Sequence, residues 1–353
     1  DSVDFLAEKL NIPKKVIYKK ALTYLKITIN LDWYLFMKLK IAFQMDPISD
    51  VDINGDTSFR LAEEGQKRGH QIYYFNPESL VYESGNIIAY GQKVDIDREG
   101  IPVISLQKEQ KIDLSEEVDI VFLRQDPPFD MLYITTTFLL ERLKGKTLVL
   151  NDPYWVRNSP EKLLVLDFID LMPPTVITRS LRSIIDFRNR YKDVILKPLY
   201  GNGGTGVFRL VEGDKNLNVF FETFVNNSRE PIIVQQFLPD VSNGDKRIIL
   251  VDGEPIGAIN RIPPQDDIRS NMHVGGTPAK SNLTARDTEI CKRLSPVLKK
   301  KNLFFVGIDV IGQHLTEINV TSPTGLQELE RFENKNYAQT IWEGIEKKWK
   351  SEQ

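Results

Sequence analysis

The sequence of 353 residues lacks the features that mark several classes of protein. One cysteine, Cys291, excludes an intramolecular disulfide framework and a cysteine metal cluster, which is typical of a reducing compartment. The apolar runs are shorter than the roughly 18 to 20 residues that cross a bilayer. The 46 Lys and Arg against 49 Asp and Glu leave no basic excess for a nucleic-acid surface. We therefore expect a soluble, cytoplasmic protein whose partners are neither nucleic acid nor membrane.

Cys291 lies in a helical pattern over residues 284–301, where a buried structural thiol is favoured over a nucleophile. A catalytic thiol would need a basic partner beside it.

Residues 1–36 differ in composition from the rest of the chain. They begin without Met and contain six lysines, four acidic residues and no arginine. Their apolar stripe, which passes through Leu6, Leu10, Val16 and Tyr24, is compatible with a helix, but the segment lacks the pattern of a secretory or organellar signal. Met37 directly precedes a convincing strand, so we expect the functional domain to start near Met37, after an extension or an upstream-translation artefact.

From residue 37 the pattern alternates between strands and helices. It predicts strands over residues 39–45, 71–75, 118–124 and 147–150, with helices over 57–68 and 131–143. This alternation favours an open α/β domain with a largely parallel sheet. Ligands of such sheets bind beyond the carboxyl ends of the strands, here in the loops 46–57 and 124–129. The polar stretch 151–160 is interpreted as a domain boundary.

The second half is predicted to be α+β. A helix is expected from Glu161, a strand over 175–178 and a helix ending at Arg190, followed by a series rich in strands. Lys162 opens the first of these helices, and taken alone it is more typical of a surface charge than of a functional group.

A glycine-rich segment separates two predicted strands, 194–196 and 207–211. Lys197 ends the first strand, and Gly201, Gly203, Gly204 and Gly206 follow. Four glycines let backbone N–H groups approach phosphate oxygens, for which Lys197 supplies a positive charge. The segment is not a dinucleotide fingerprint, because a strand rather than a helix follows it. A flap over a triphosphate and an ordinary glycine-rich turn both remain compatible with the pattern.

Three later segments could complete a nucleotide site. The apolar run 231–239 contains Gln235, Gln236 and Leu238 and is either a hinge that pairs with an adenine edge or an ordinary buried strand. A hairpin of residues 247–250 and 255–260 turns at Asp252-Gly253. The segment 262–280 is predicted to be a long mobile loop, typical of a lid.

The most informative segment, residues 304–320, is predicted to be a hairpin. A loop over 312–314 would place Asp309 opposite Glu317, with Asn319 on the same face. Like charges that face each other across strands are destabilising unless something neutralises them, and a hard divalent cation would do so. The alternative is a surface hairpin whose acidic residues face water.

Together these motifs resemble the ATP-grasp superfamily in order and spacing. More narrowly, Asp46-Pro47, Arg124 to Phe129, Gly244 to Arg247, Arg261 to Pro263 and Thr316 to Thr324 resemble the bacterial glutathione synthetases. The resemblance covers the chain from about Met37 to the helix near Trp342. One departure is Thr277, which stands where some members carry Arg after the Gly-Gly pair.

The resemblance implies an N-terminal open parallel α/β domain followed by an ATP-grasp fold of two α+β subdomains that clamp ATP. The expected boundaries are 37–157 for the substrate domain, 158–235 for the lid subdomain with the glycine flap, and 236–353 for the catalytic subdomain.

The resemblance also implies ATP-dependent joining of γ-glutamylcysteine to glycine through an acyl-phosphate. The expected ATP-binding residues are Lys162, Lys197, Gly201, Gly203, Gly204, Gln235, Gln236, Leu238 and Asp245. Two Mg²⁺ ions, with Mn²⁺ as an alternative, would be held by Asp309, Glu317 and Asn319. Catalytic roles fall to Arg247, Arg261 and Arg269, and substrate binding to Arg124, Arg247, Arg261 and Asn319. A homotetramer is also implied.

Two other functions remain open from sequence: another ATP-grasp carboxylate-amine ligase, and a nucleotide-binding protein that has lost catalysis.

Overall fold

The computed structural model describes residues 38–265, 267, 269–272 and 275–353. The predictions made for residues 1–36 lie outside these residues. Within the described part, the chain forms three β-sheets with helices packed on their faces. None of the described helices has the length and apolar character needed to span a membrane.

The first sheet has parallel strands at its centre, as predicted. Strands β1 (Lys40–Gln44), β2 (Gln71–Phe75), β7 (Ile120–Leu123) and β8 (Leu148–Leu150) lie in the order β2-β1-β7-β8 and pair in parallel. Helix α1 (Thr57–Lys67) begins at Asp56, whose carboxylate accepts a hydrogen bond from the N–H of Phe59. Helix α2 (Met131–Leu140) begins in the same way at Asp130.

An antiparallel extension of this sheet was not predicted. Strands β3 (Leu80–Glu83), β5 (Ile104–Leu106) and β6 (Gln110–Asp113) all pair with the long strand β4 (Asn86–Ile96), which itself pairs with β2. Ser84 and Gly85, both at positive φ, join β3 to β4 in a two-residue turn.

The second sheet is antiparallel and carries the glycine-rich segment. Its strands are β9 (Thr175–Thr178), β10 (Val194–Pro198), β11 (Phe208–Leu210) and β12 (Ile232–Gln236), in the order β11-β10-β12-β9. Helices α4 (Leu181–Tyr191) and α5 (Leu217–Asn227) pack their apolar side chains against the buried residues of β10 and β12. The glycine-rich segment joins β10 to β11.

The third sheet is antiparallel and carries the predicted acidic hairpin. Its strands are β13 (Asp245–Val251), β14 (Glu254–Ile262), β15 (Thr277–Ser281), β16 (Phe305–Ile311) and β17 (His314–Asn319), in the order β15-β14-β13-β16-β17. Helix α6 (Ala285–Lys300) packs on one face, and its Cys291 is buried, as predicted. Burial raises the pKa of this thiol to about 12, which fits a structural role.

The last two helices pack on the opposite face of the third sheet and return to the first. They are α7 (Leu326–Glu333) and α8 (Tyr337–Glu352). Trp342 is completely buried, and its indole N–H donates to the carbonyl of Leu61 in α1. The first and third sheets therefore share a continuous core.

One element prediction is corrected by the structure: no helix begins at Glu161, and residues 164–168 form a 3-10 helix instead. Helix α3 (Pro153–Asn158) lies inside the stretch 151–160, which was interpreted as a domain boundary. The Asp152 side chain caps this helix, and proline suits its first turn.

The predicted loop 262–280 is shorter in the structure. Residues 277–281 form β15, which pairs with the end of β14. The connecting loop is therefore limited to residues 263–276.

Candidate active site

The acidic hairpin of β16 and β17 places Asp309 opposite Glu317, as predicted. Its turn differs from the prediction: Ile311 pairs with His314, which leaves a two-residue turn at Gly312 and Gln313. A β-bulge between Asp309 and Val310 compensates for the shorter turn and restores the predicted facing pair. The face opposite the carboxylates is apolar, and its side chains are all buried: Val306, Ile308, Val310, Ile318 and Val320.

Asp309 is buried within a cluster of positive charge. Its Oδ1 lies 2.5 Å from Nε of Arg247 and 3.0 Å from Nη2 of Arg261. The amide of Asn319 donates to its Oδ2 at 3.2 Å. Burial disfavours the charged form, but the two guanidinium groups outweigh it and hold the pKa of Asp309 well below its ordinary value. The alternative of a surface hairpin is therefore wrong, because its central carboxylate is buried and paired.

Glu317 lies between the hairpin and two lysines. Its Oε1 is 3.4 Å from Nζ of Lys197 and 3.6 Å from Nζ of Lys162. The ammonium of Lys162 also donates to the carbonyl of Gly201, at the start of the glycine-rich segment. Burial acts against ionisation of Glu317, but the two lysines prevail and lower its pKa. Lys162 thus approaches the site from the turn after α3 rather than from the predicted helix.

The glycine-rich segment bends over this charged group. Gly203, Gly204 and Gly206 all have positive φ, which non-glycine residues rarely adopt. A Cβ on Gly204 would lie 3.3 Å from Oδ1 of Asn271, in the loop between β14 and β15. The glycine-rich segment and the 263–276 loop therefore meet over the site.

A cleft of about 930 Å³, including its open mouth, lies between the second and third sheets. All nine predicted ATP-binding residues line it, together with three of the predicted catalytic and metal-binding residues: Lys162, Lys197, Gly201, Gly203, Gly204, Gln235, Gln236, Leu238, Asp245, Arg269, Asp309 and Glu317. The cleft walls also include apolar side chains from β10 and β16, so it offers both an apolar and a charged end.

Asp245 is a buried carboxylate at the wall of the cleft. Its Oδ2 accepts hydrogen bonds from Arg261 at 2.6 Å and from Ser270 at 3.0 Å, whereas its Oδ1 is buried without a hydrogen-bond partner. Burial and the neighbouring Asp309 raise the pKa of Asp245 to about 6, against the opposing effect of Arg261. An unpaired buried acceptor is costly, so this oxygen is suited to a donor from a ligand.

Four predicted site residues do not line the cleft. Arg247, Arg261 and Asn319 lie behind it and contact Asp309. Arg124 lies at the carboxyl end of β7, where it donates to Oγ of Ser58 and to the carbonyl of Pro323. Its Nη1 is buried without a hydrogen-bond partner and so remains available to an anionic group.

Several cleft residues were missed in the sequence. They include Phe237, Ser270, Asn271 and Thr316. Phe237 follows the predicted hinge residues and could have been included with them. Thr316 is the extra residue of the bulge, and Ser270 and Asn271 lie in a loop whose path the sequence pattern does not specify.

The donor set on the hairpin fits a hard divalent cation. Asp309, Glu317 and Asn319 supply carboxylate and amide oxygens on one face, and the Glu317 side chain remains 23% exposed toward the cleft. Among the described residues, no cluster of three or more His, Cys, Asp and Glu is arranged to hold an ion. Such a site would therefore need ligand oxygens as well, as Mg²⁺ sites with phosphates commonly do.

Two family profiles match the chain. Residues 39–157 match the profile described as prokaryotic glutathione synthetase, N-terminal domain, and residues 161–334 match its ATP-grasp domain. The chain is 54% identical over 310 residues to the glutathione synthetase of Brucella melitensis, covering 88% of this chain and 99% of the relative. It is 54% identical over 314 residues to the glutathione synthetase of Mesorhizobium japonicum, covering 89% and 100%.

Solved structures of low sequence identity share the fold. A D-cycloserine synthetase superposes with a TM-score of 0.64 at 13% identity, covering 88% of this chain and 99% of that one. The D-alanyl-alanine synthetase A of Vibrio cholerae gives 0.57 at 12% identity, covering 88% and 98%. The predicted fold class, an α/β domain followed by an ATP-grasp fold, is confirmed.

Proposed function

Because the chain belongs to the prokaryotic glutathione synthetase family, we propose that it joins γ-glutamylcysteine to glycine at the expense of ATP, giving glutathione, ADP and phosphate. The observation that carries this proposal is the cleft in which Lys162, Lys197, the glycine-rich segment and Glu317 face one another. The chain also covers nearly the full length of the glutathione synthetases it resembles.

We propose that the triphosphate of ATP lies along the two lysines. Lys162 and Lys197 supply the only two ammonium groups that line the cleft among the described residues. Burial lowers the pKa of Lys197, and a phosphate bound beside its ammonium group would raise that pKa again. The adenosine would then lie toward Gln235, Gln236 and Leu238, with Asp245 offering its unpaired oxygen as an acceptor.

We assign Mg²⁺ as the accompanying cation, with Asp309, Glu317 and Asn319 as its protein ligands. When bound, two such ions would offset the charge of the phosphates. The protein's own contribution is to keep these carboxylates ionised, which Arg247, Arg261 and the two lysines do in the structure.

The chemistry requires activation of a poor electrophile. The carboxylate of the cysteine residue would attack the γ-phosphate of ATP with ADP as the leaving group, and the amine of glycine would then displace phosphate from the acyl-phosphate and lose a proton. Arg247, Arg261 and Arg269 are proposed to steady the phosphoryl group and the glycine carboxylate. Arg124, with its unpaired Nη1, would bind a substrate carboxylate from the N-terminal side. The 263–276 loop would exclude water from the acyl-phosphate.

The division into a substrate domain (37–157), a lid subdomain (158–235) and a catalytic subdomain (236–353) is part of this proposal, as are a homotetramer and a cytoplasmic location. The three sheets fall one into each of these ranges, apart from Gln236 at the end of β12, which supports the division.

The test is a product assay with the purified full-length chain. With ATP, Mg²⁺, γ-glutamylcysteine and glycine, we expect glutathione by mass spectrometry and one phosphate released per peptide bond. Replacing the substrates by two D-alanines, or by glutamate and a peptide, tests other ligases of the same fold. Turnover with one of those pairs, or with none, in place of glutathione formation would overturn the proposal.

A further inference from the structure

The glycine-rich segment touches the first sheet through a pair of aromatic rings. Tyr200, the residue before Gly201, stacks on Phe129 with ring centroids 5.9 Å apart and planes inclined by 20°. Phe129 in turn packs against Tyr133 of α2 at 5.1 Å. Tyr133 is completely buried, so the rings are anchored in the core of the first sheet. We call Tyr200 and Phe129 the aromatic bridge.

The bridge joins the two loops that hold the charged groups of the site. Phe129 ends the loop 124–129, which begins with Arg124 at the end of β7. Tyr200 lies in the segment that covers Lys162 and Lys197, and Lys162 binds the carbonyl of Gly201 beside it. A small pocket beside the two rings is bounded by Pro127, Lys162, Leu199 and Thr321. Phe129 therefore belongs to the loop of the proposed dipeptide site, and Tyr200 belongs to the segment that covers the proposed ATP site.

A glycine-rich segment has little preference of its own for a closed position. Gly203, Gly204 and Gly206 allow many backbone conformations, so contacts from outside decide where the segment lies. Lys162 holds the glycine-rich segment at the carbonyl of Gly201. Phe129, from the N-terminal domain, holds it at a second point by stacking on Tyr200. A stacked aromatic pair adds stability beyond the surface it buries.

We propose that the aromatic bridge couples occupancy of the N-terminal substrate loop to closure of the glycine-rich segment over ATP. This inference rests on the proposed function and makes Tyr200 and Phe129 positioning residues. A substrate bound by Arg124 holds the 124–129 loop in the position in which Phe129 stacks on Tyr200, which favours the closed segment and tightens ATP binding. Since coupling between two ligands is reciprocal, ATP must tighten binding of the dipeptide by the same factor.

The experiment measures this factor in the full-length chain. Calorimetry with a non-hydrolysable ATP analogue and Mg²⁺ gives the analogue's Kd with and without γ-glutamylcysteine, and the converse titration gives the dipeptide's Kd. We expect a wild-type coupling factor of roughly 2 to 12, the range that one aromatic pair can supply. Tyr200→Leu and Phe129→Leu should each reduce it to about 1, and the double variant should lose no more. Tyr200→Phe should retain it.

The control is Tyr82→Leu, which alters a tyrosine that is 58% exposed in β3 and outside the bridge. It should leave the coupling factor unchanged. A purely structural role for the rings would lower the Tm of the variants without changing the coupling factor. A wild-type factor of 1, or an unchanged factor in Tyr200→Leu and Phe129→Leu, overturns the bridge even if the wild type makes glutathione. If the wild type makes no glutathione, the proposed function itself fails.

Discussion

Asp309 and Glu317 face each other across the acidic hairpin, but their surroundings differ. Asp309 is enclosed by Arg247, Arg261 and Asn319 and holds the interior together. Glu317 faces the cleft and contacts the two lysines. Substitution of Glu317 should therefore act mainly on turnover, whereas substitution of Asp309, which is also a proposed metal ligand, should lower stability as well.

Glu317→Gln should abolish turnover and leave the fold intact. The change removes a metal ligand and the partner charge of Lys162 and Lys197, while the side chain keeps its shape. Glutathione formation measures the first effect, and circular dichroism with a melting curve measures the second. Near-normal activity in this variant would contradict a role in metal binding.

Asp309→Asn should destabilise the protein by about 3–5 kcal/mol, because it leaves two buried guanidinium groups without their shared counter-ion. Urea denaturation measures the loss. The control is Asp170→Asn, whose partner Arg293 lies on the surface, and it should change stability little. Equal stabilities of the two variants would show that the Asp309 cluster is not a structural centre.

Asp245 should make stability depend on pH in a defined window. Its pKa is about 6 in the folded protein against an ordinary 3.8, so the folded state binds more protons between these values. The free energy of unfolding therefore falls as pH rises from about 4 to about 6, by up to about 3 kcal/mol from this group. The Asp245→Asn variant has no carboxyl group at this position, so it should not show this part of the pH dependence.

Denaturation of Asp245→Asn and wild type across this window isolates the effect. The difference in unfolding free energy should shift in favour of the variant as pH rises. A difference that stays constant would show that Asp245 is already ionised at the lower end of the window.

At the scale of elements, the sequence pattern predicted the strands of the site well, because their apolar and polar faces alternate. The sequence correctly predicted that Asp309 lies opposite Glu317, although it predicted a longer turn. The two residues still pair because the bulge at Thr316 offsets the shorter turn. Such compensation depends on local backbone geometry that alternation does not encode. The helix expected at Lys162 failed for a similar reason: the capping residue Asp152 starts a helix earlier in the chain.

The glycine-rich segment should require Gly204 in particular. Gly204→Ala places a methyl group beside Asn271 and Arg269 in the facing loop, at a φ of +81°. We expect ATP affinity to fall about tenfold, the equivalent of one lost hydrogen bond to a charged group. Nucleotide titration measures this change.

Gly213→Ala is the matched control for this substitution. Gly213 has a φ of +80°, and a Cβ there would meet nothing within 4 Å. Both variants carry the same backbone strain, about 1–2 kcal/mol, but only Gly204 lines the cleft. Equal ATP affinities of the two variants would contradict the proposed role of the segment.

At the scale of the whole molecule, the C-terminal helix α8 packs against the first sheet and its helix α1. Trp342 packs against Gly65 and Phe122, and Glu346 binds Arg68 and His70. A helix near Trp342 was expected from the sequence, but its packing partner was not, because the contact joins residues 281 positions apart. Long-range contacts of this kind, like the antiparallel strands on β4, are set by tertiary packing.

Trp342→Ala should cost about 3–5 kcal/mol in a single unfolding transition, because the core of the first and third sheets is shared. Trp349→Ala, a partly buried tryptophan of the same helix, should cost less. Urea denaturation followed by circular dichroism compares them. A loss at Trp342 no larger than at Trp349 would show that α8 is peripheral to the fold.

The central claim is that a substrate carboxylate is phosphorylated in the cleft between the glycine-rich segment and the acidic hairpin. Glutathione synthesis from γ-glutamylcysteine with an ¹⁸O-labelled cysteine carboxylate tests it most directly. The account predicts one labelled oxygen in each phosphate released, since the amine displaces the oxygen that bonded to phosphorus. Unlabelled phosphate alongside glutathione, with the displaced label found in water, would contradict it.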